Sequence, residues 1–143
     1  MKKTIFTGVG TAIATPMNAD GSINYDEFGR MLDFQVENGA DAVIVCGTTG
    51  EASTMPDKEH LECIGYAVKR INRRIPVVAG TGANDTAHGI RLSVAAEKLG
   101  VDALLQVTPY YNKASQRGLV KHFTAIANSV NIPIVLYLSL IHI

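Results

Sequence analysis

The sequence predicts an α/β fold built on a parallel sheet, and three observations carry that expectation. Short, β-rich apolar runs recur at intervals of roughly thirty residues. Amphipathic stretches of helical period separate them in strict alternation. The run Ala42-Val-Ile-Val-Cys46 shows no polar alternation, as befits a strand covered on both faces.

The first run spans Gly8 to Ala14 and is closed by Thr15-Pro16, with the polar turn Asn18-Ala-Asp-Gly21 after it. From Tyr25 to Asn38, Phe28, Met31, Leu32, Phe34 and Val36 suit a helical face, and Gly39 stands where a C-cap belongs. Ala42–Cys46 is the second strand. Asp57 to Ile71 reads as the second helix, with Asp57 and Glu59 in its first turn and Lys69 and Arg70 in its last, complementing the helix dipole. Pro76 to Gly80 is the third strand, and Thr86 to Leu99, ended by Gly100, the third helix. Ala103 to Val107, Gln116 to Val130 and Ile132 to Tyr137 complete the series as strand, helix and strand. Two closures remain open on pattern alone: a doubly wound open sheet, or a (β/α)8 barrel cut short. A whole barrel takes about 250 residues, so this chain would hold only its first five strands.

The chain has 143 residues, enough for one domain with its own core. Hydrophobic residues make up 47% and charged residues 18%, a globular and not a disordered balance. Thirteen basic and thirteen acidic side chains cancel, which removes the electrostatic case for nucleic acid or an anionic membrane. No apolar run is long enough to cross a bilayer, and none follows Lys2-Lys3 as a signal peptide would, so the expected compartment is the cytoplasm. Cys46 and Cys63 lie in apolar stretches and form no CxxC pair, reading as buried, reduced thiols. His60, His88 and His122 fall on helices far apart in sequence and His142 in the tail, so neither a metal nor a cofactor is expected.

In parallel α/β proteins the chemistry gathers at the carboxyl ends of the strands. After the second strand, Gly47-Thr48-Thr49-Gly50-Glu51 is either a cradle of amides and hydroxyls for a carboxylate or a plain strand-to-helix turn. After the third, Gly80-Thr81-Gly82 lacks the third glycine of a dinucleotide fingerprint, and close backbone packing explains it better. After the fourth, Tyr110 and Tyr111 are interface anchors, proton carriers, or both. Gln106, polar within a strand, is expected to face a barrel lumen, with no partner evident.

Together, Gly47-Thr-Thr-Gly-Glu51, Val77-Val-Ala-Gly-Thr-Gly82, Val107-Thr-Pro-Tyr-Tyr-Asn112 and Ile134-Val-Leu-Tyr137 resemble, in order and spacing, the dihydrodipicolinate synthase family of pyruvate-dependent class I aldolases. The resemblance covers residues 1–137. It implies a TIM barrel, truncated here after about five strands, with residues 1–137 as the N-terminal part of one domain. It also implies a homo-oligomer, a dimer of dimers when full length. The reaction it implies condenses pyruvate with aspartate β-semialdehyde through a Schiff base on a barrel lysine, in lysine and diaminopimelate biosynthesis. By the same resemblance Thr49, with nearby amides, holds the pyruvate carboxylate, and Thr48 links two tyrosine hydroxyls in a proton relay. Tyr137 serves the Schiff-base nitrogen, and Tyr111 is lent across a dimer interface. In lysine-inhibited members, lysine sits against residues matching His60, Asn84 and Tyr110 and is gripped by an acidic residue. Here His88 stands in that place, so weak inhibition is expected.

After Tyr137 the family continues to an arginine and the Schiff-base lysine, whereas this chain reads Leu138-Ser-Leu-Ile-His-Ile143. That hexapeptide resembles a translated sequencing adapter, and residues 138–143 are expected to be a non-native tail. None of Lys2, Lys3, Lys58, Lys69, Lys98, Lys113 and Lys121 lies in a predicted strand, so the chain by itself is expected to be inactive. The rival readings are an N-acetylneuraminate lyase or keto-deoxy-sugar acid aldolase and, in another class, a non-catalytic half-barrel binding fragment.

Overall fold

A computed structural model describes residues 4–138 and turns the alternation of the sequence into five strands and four helices. The strands are β1 (Gly10–Ala12), β2 (Ala42–Val45), β3 (Val77–Gly80), β4 (Ala103–Val107) and β5 (Ile134–Tyr137). The helices are α1 (Tyr25–Glu37), α2 (Asp57–Ile71), α3 (Thr86–Leu99) and α4 (Gln116–Ala127). Lys2, Lys3, His142 and all of the tail but Leu138 lie outside the described residues.

The strands pair in parallel in the order β1-β2-β3-β4-β5, with Ala12 opposite Ile44, Val45 opposite Ala79, Gly80 opposite Leu105 and Val107 opposite Tyr137. This order decides between the two closures. A doubly wound sheet reverses strand order at a switch point, whereas a barrel adds every strand beside the one before it. The sheet has no reversal, so it is a half-barrel. Consecutive helices pack side by side along one face of it.

That face holds the core. Phe28 and Leu32 of α1 and Cys63, Ile64, Ala67 and Ile71 of α2 are fully buried against Val43, Val45, Ala79 and Leu104 of the strands. Each Phe, Leu, Ile and Val side chain among them contributes about 1.5–3 kcal/mol through removal from water. Phe34, expected on the inner face of α1, is 59% exposed. Its apolar character, not its angle on the helix, had placed it there.

Three helix starts are capped by side chains that the sequence supplies. Asn24 accepts from the Glu27 amide at 2.9 Å, Asp85 from the Ala87 and His88 amides at 3.2 and 3.0 Å, and Ser115 from the Gly118 amide at 3.2 Å. Helix α4 ends at Ala127 and not at Val130 as its apolar period suggests. There the Ile126 carbonyl accepts from both the amide and the hydroxyl of Ser129, which closes the helix with a turn. A 3₁₀ turn at Ala52–Thr54, which the sequence did not announce, leads into α2.

Candidate active site

The carboxyl ends of the strands meet through unusually close backbone contacts. A Cβ on Gly80 would fall 2.1 Å from the Cys46 carbonyl oxygen, and one on Gly82 would fall 2.4 Å from the Val107 amide nitrogen. Glycine is therefore required for β3 to lie between β2 and β4 at this height. The Gly-x-Gly expected to serve close packing does so. Cys46, just beyond β2, takes a positive φ of 52° and turns the chain into Gly47-Thr48-Thr49-Gly50. The amides of Gly50 and Glu51 are each 3.1 Å from the carbonyls of Gly47 and Thr48, and the Thr15 hydroxyl donates to the Gly50 carbonyl at 2.8 Å.

His60 pins this arrangement to α2. Its Nε2–H donates to the Gly80 carbonyl at 2.8 Å, and its side chain is almost wholly buried. Burial pushes its pKa below the ordinary value, because the interior disfavours the imidazolium.

Above the strand ends lies a cavity of about 360 Å³, within the usual range for small-molecule sites. Thr48, Leu105, Val107, Tyr110 and Tyr137 line it, so residues from the ends of β2, β4 and β5 converge there. Of the site residues expected from sequence, Thr48 and Tyr137 are brought together in this cavity. Thr49 sits in the same turn, exposed, but does not line it. Tyr111 is 94% exposed with a φ of +70°, and it borders a different recess, between α4 and β5. Tyr137 lines that recess too, so within this chain Tyr111 shares a recess with Tyr137 but not with Thr48.

Some arrangements escaped the sequence reading. His88 and Asp57 also line the cavity, with Nε2 of His88 2.7 Å from Oδ1 of Asp57. The histidines 60 and 88 thus share one cavity, as the resemblance to lysine-inhibited members implies, whereas the Asp57 contact was not foreseen. Among the described residues no group of three or more His, Cys, Asp or Glu is placed to hold a metal.

Gln106 corrects an expectation. It faces α3 and not the lumen, because strand alternation turns Leu105 and Val107 to the cavity and Gln106 the other way. Its Nε2 donates to the Thr81 hydroxyl at 2.6 Å and to the Ser93 hydroxyl at 3.0 Å. The Gln106 Oε1 has no partner among the described residues.

Among the described residues no lysine lies on a strand: Lys58, Lys69, Lys98 and Lys121 are helical and Lys113 follows β4 in a loop. No described helix is long and apolar enough to cross a membrane.

Comparison with known proteins matches residues 5–139 to the model of the dihydrodipicolinate synthetase family. A 4-hydroxy-tetrahydrodipicolinate synthase of Acetivibrio thermocellus is 57% identical over 137 residues, which cover 96% of this chain and 47% of that protein. One of Lachnoclostridium phytofermentans is 53% identical over 133 residues, 93% of this chain and 45% of the relative. The crystal structure of the chloride-inhibited dihydrodipicolinate synthase of Acinetobacter baumannii complexed with pyruvate superimposes with a TM-score of 0.92. It is 45% identical, covering 95% of this chain and 46% of that one. The chain thus spans under half the length of the relatives it matches.

Proposed function

This chain belongs to the dihydrodipicolinate synthetase family, and on that premise we propose that it is the N-terminal portion of a 4-hydroxy-tetrahydrodipicolinate synthase. The full-length protein condenses pyruvate with aspartate β-semialdehyde in lysine and diaminopimelate biosynthesis. The observation that carries this reading is the convergence of Thr48 and Tyr137 on one cavity at the carboxyl ends of the strands.

The chemistry follows from what those groups can do. A neutral lysine on a later strand attacks the keto carbon of pyruvate, and loss of water gives the Schiff base. The Gly50 and Glu51 amides are already bonded within their own turn, so the donors for the pyruvate carboxylate are Thr49 and the neighbouring amides. Tyr137, at the end of β5, hydrogen-bonds the carbinolamine oxygen and passes its proton through Thr48. Hydroxyls relay protons without acquiring charge, which suits a site lined by Leu105 and Val107. Loss of a methyl proton then gives an enamine that adds to the aldehyde carbon. Tyr111, almost fully exposed, completes the relay in a second copy of the chain, and the protein works as a homo-oligomer in the cytoplasm.

Lysine inhibits this enzyme weakly. Where lysine-inhibited members carry an acidic residue, His88 is already engaged with Asp57, and an incoming ammonium would have to compete for that carboxylate. Half-inhibition at sub-millimolar lysine would refute this part of the reading.

Borohydride treatment of full-length protein with pyruvate tests the reading. It should leave a reduced pyruvate adduct on one lysine outside residues 4–138. Thr48→Val and Tyr137→Phe should each lower kcat by about a hundredfold or more. Turnover of N-acetylneuraminate or a keto-deoxy-sugar acid in preference to aspartate β-semialdehyde would move the assignment to the sugar-acid aldolases. No adduct and no turnover of any of these would leave the non-catalytic reading.

A further inference from the structure

The turn that carries Thr48 and Thr49 is bounded at both ends by backbone that residues with a Cβ rarely adopt. Cys46 has a φ of 52° and Glu51 a φ of 57°, both left-handed and neither a glycine. Such backbone persists only where its surroundings hold it. Within the turn the Gly50 and Glu51 amides bond the Gly47 and Thr48 carbonyls, which closes the turn without fastening it to the sheet.

A fastening comes from the segment after β1. The Ile13 amide donates to the Ile44 carbonyl at 3.1 Å and continues the β1–β2 pairing past the end of β1. The Pro16 carbonyl accepts from the Asn24 amide at 2.9 Å, which ties the same segment to the start of α1. Thr15 stands between these two anchors, biased toward extended backbone by the proline that follows it. Its side chain is buried, and its hydroxyl donates to the Gly50 carbonyl at 2.8 Å across 35 residues of sequence. Gly50 has little room to move: a Cβ there would lie 3.1 Å from the Cys46 Cα and 3.2 Å from the Thr15 Oγ1. Thr15 does not line the cavity above the strand ends, so any influence on a molecule bound there passes through the turn.

We propose that Thr15 is a positioning residue, whose hydroxyl tethers Gly50 and so holds the Gly47–Glu51 turn, with Thr49 in it, in the shape that receives the substrate carboxylate. The carboxylate rests on the aldolase reading; the tether rests on the geometry alone. Removing the hydroxyl takes this partner from a carbonyl inside the protein and lets the two left-handed residues relax. Only a fraction of the molecules then presents the turn ready for pyruvate, and apparent affinity falls by that fraction. Saturating pyruvate restores the shape, so the signature is a raised KM for pyruvate with kcat nearly unchanged. A merely structural threonine would lower the stability of the whole domain and leave the KM of the folded molecules where it was.

The test compares full-length protein with Thr15→Val, which keeps the shape and removes the hydroxyl, and Thr15→Ser, which keeps the hydroxyl. Thr15→Val should raise the KM for pyruvate about tenfold, with kcat and the KM for aspartate β-semialdehyde within about threefold of the parent. Thr15→Ser should stay within about threefold of the parent in all three constants. An unmoved KM for pyruvate in Thr15→Val, or equal impairment of the two variants, overturns the proposal. Amide hydrogen exchange without substrate gives a second readout. The Gly50 and Glu51 amides should exchange about tenfold faster in Thr15→Val, with β2 and α2 unchanged. Unchanged exchange at these two amides, or acceleration spread through β2 and α2, also overturns the tether. Should Thr15→Val fail to fold, Thr15→Ala removes the same hydroxyl and is held to the same outcomes. Absence of turnover in the parent protein overturns the aldolase reading instead, and the exchange rates still decide the tether.

Discussion

Strands β3 and β5 have nearly the same chemistry, yet they live in opposite surroundings. All four residues of β3 are buried, with Val77 at 3%, Val78 at 1% and Ala79 at 0% exposure. In β5, Val135 is 39%, Leu136 62% and Tyr137 38% exposed. One is squeezed between two neighbours that tolerate only glycine at its end. The other is an open edge beside an apolar recess of about 1270 Å³ lined by Leu119, Phe123 and Leu136. A parallel strand this apolar is built to be covered on both faces. The comparison therefore assigns finished architecture to the β2–β3 side and a face awaiting a neighbour to the β5 side, where the relatives extend for more than half their length.

The sharpest way to break that contrast is at Gly80. Gly80→Ala places a methyl 2.1 Å from the Cys46 carbonyl oxygen, where no rotamer change relieves the clash. The expected cost is about 3 kcal/mol, read from the denaturant midpoint, and an unshifted midpoint would mean that the β2–β3 approach is not rigid. A pair of substitutions tests burial itself. Ile64→Ala should cost about 2–5 kcal/mol wherever it is measured. Leu136→Ala should cost less than about 0.5 kcal/mol in residues 1–143 alone, yet about 2 kcal/mol in the full-length protein. Equal effects of Leu136→Ala in both contexts would show that nothing covers β5.

Acid should act on the closed side through buried histidines. His60 and His122 both ionise below their ordinary value because burial disfavours the imidazolium. Below about pH 6.5 the unfolded chain takes up protons that the folded chain refuses, so stability is full above that pH and falls beneath it, until the lower folded-state values are passed. Unfolding midpoints between about pH 7 and about pH 5 should decline, and His60→Gln should flatten part of the slope. A slope unchanged in that variant would remove His60 from the account. A small effect is expected at Gln106. Among the described residues its Oε1 has no partner, and Thr81 and Ser93 remain 3.0 Å apart without it. Gln106→Leu should therefore cost about 1 kcal/mol or less by thermal unfolding, and a loss several times larger would point to a bound water as its missing partner.

Much of this could be read from the chain directly, because the signals are local. The alternation of apolar runs and helical stretches located every strand and α-helix, and α2, α3 and β4 begin and end at the residues the sequence reading gave. Thr48 and Tyr137 were singled out by the resemblance of Gly47–Glu51 and Ile134–Tyr137 to family motifs, and both stand at the carboxyl-terminal side of strands, where parallel α/β proteins keep their chemistry. Local signals failed where a distant contact chose the outcome. Phe34 points outward, and Gln106 turns to Ser93 on α3 instead of the lumen.

By itself, then, the sequence determined the kinds and order of the elements and the loops that carry polar chemistry, since periodicity, caps and turns act over a few residues. Only the tertiary structure decided how the sheet closes, through strand pairing with no reversal of order. It alone brought Asp57 beside His88 in the cavity above the strand ends and kept Tyr111 out of that cavity, which Thr48 lines. Those relations depend on which backbones approach closely enough to demand glycine, a long-range condition that no window of sequence contains.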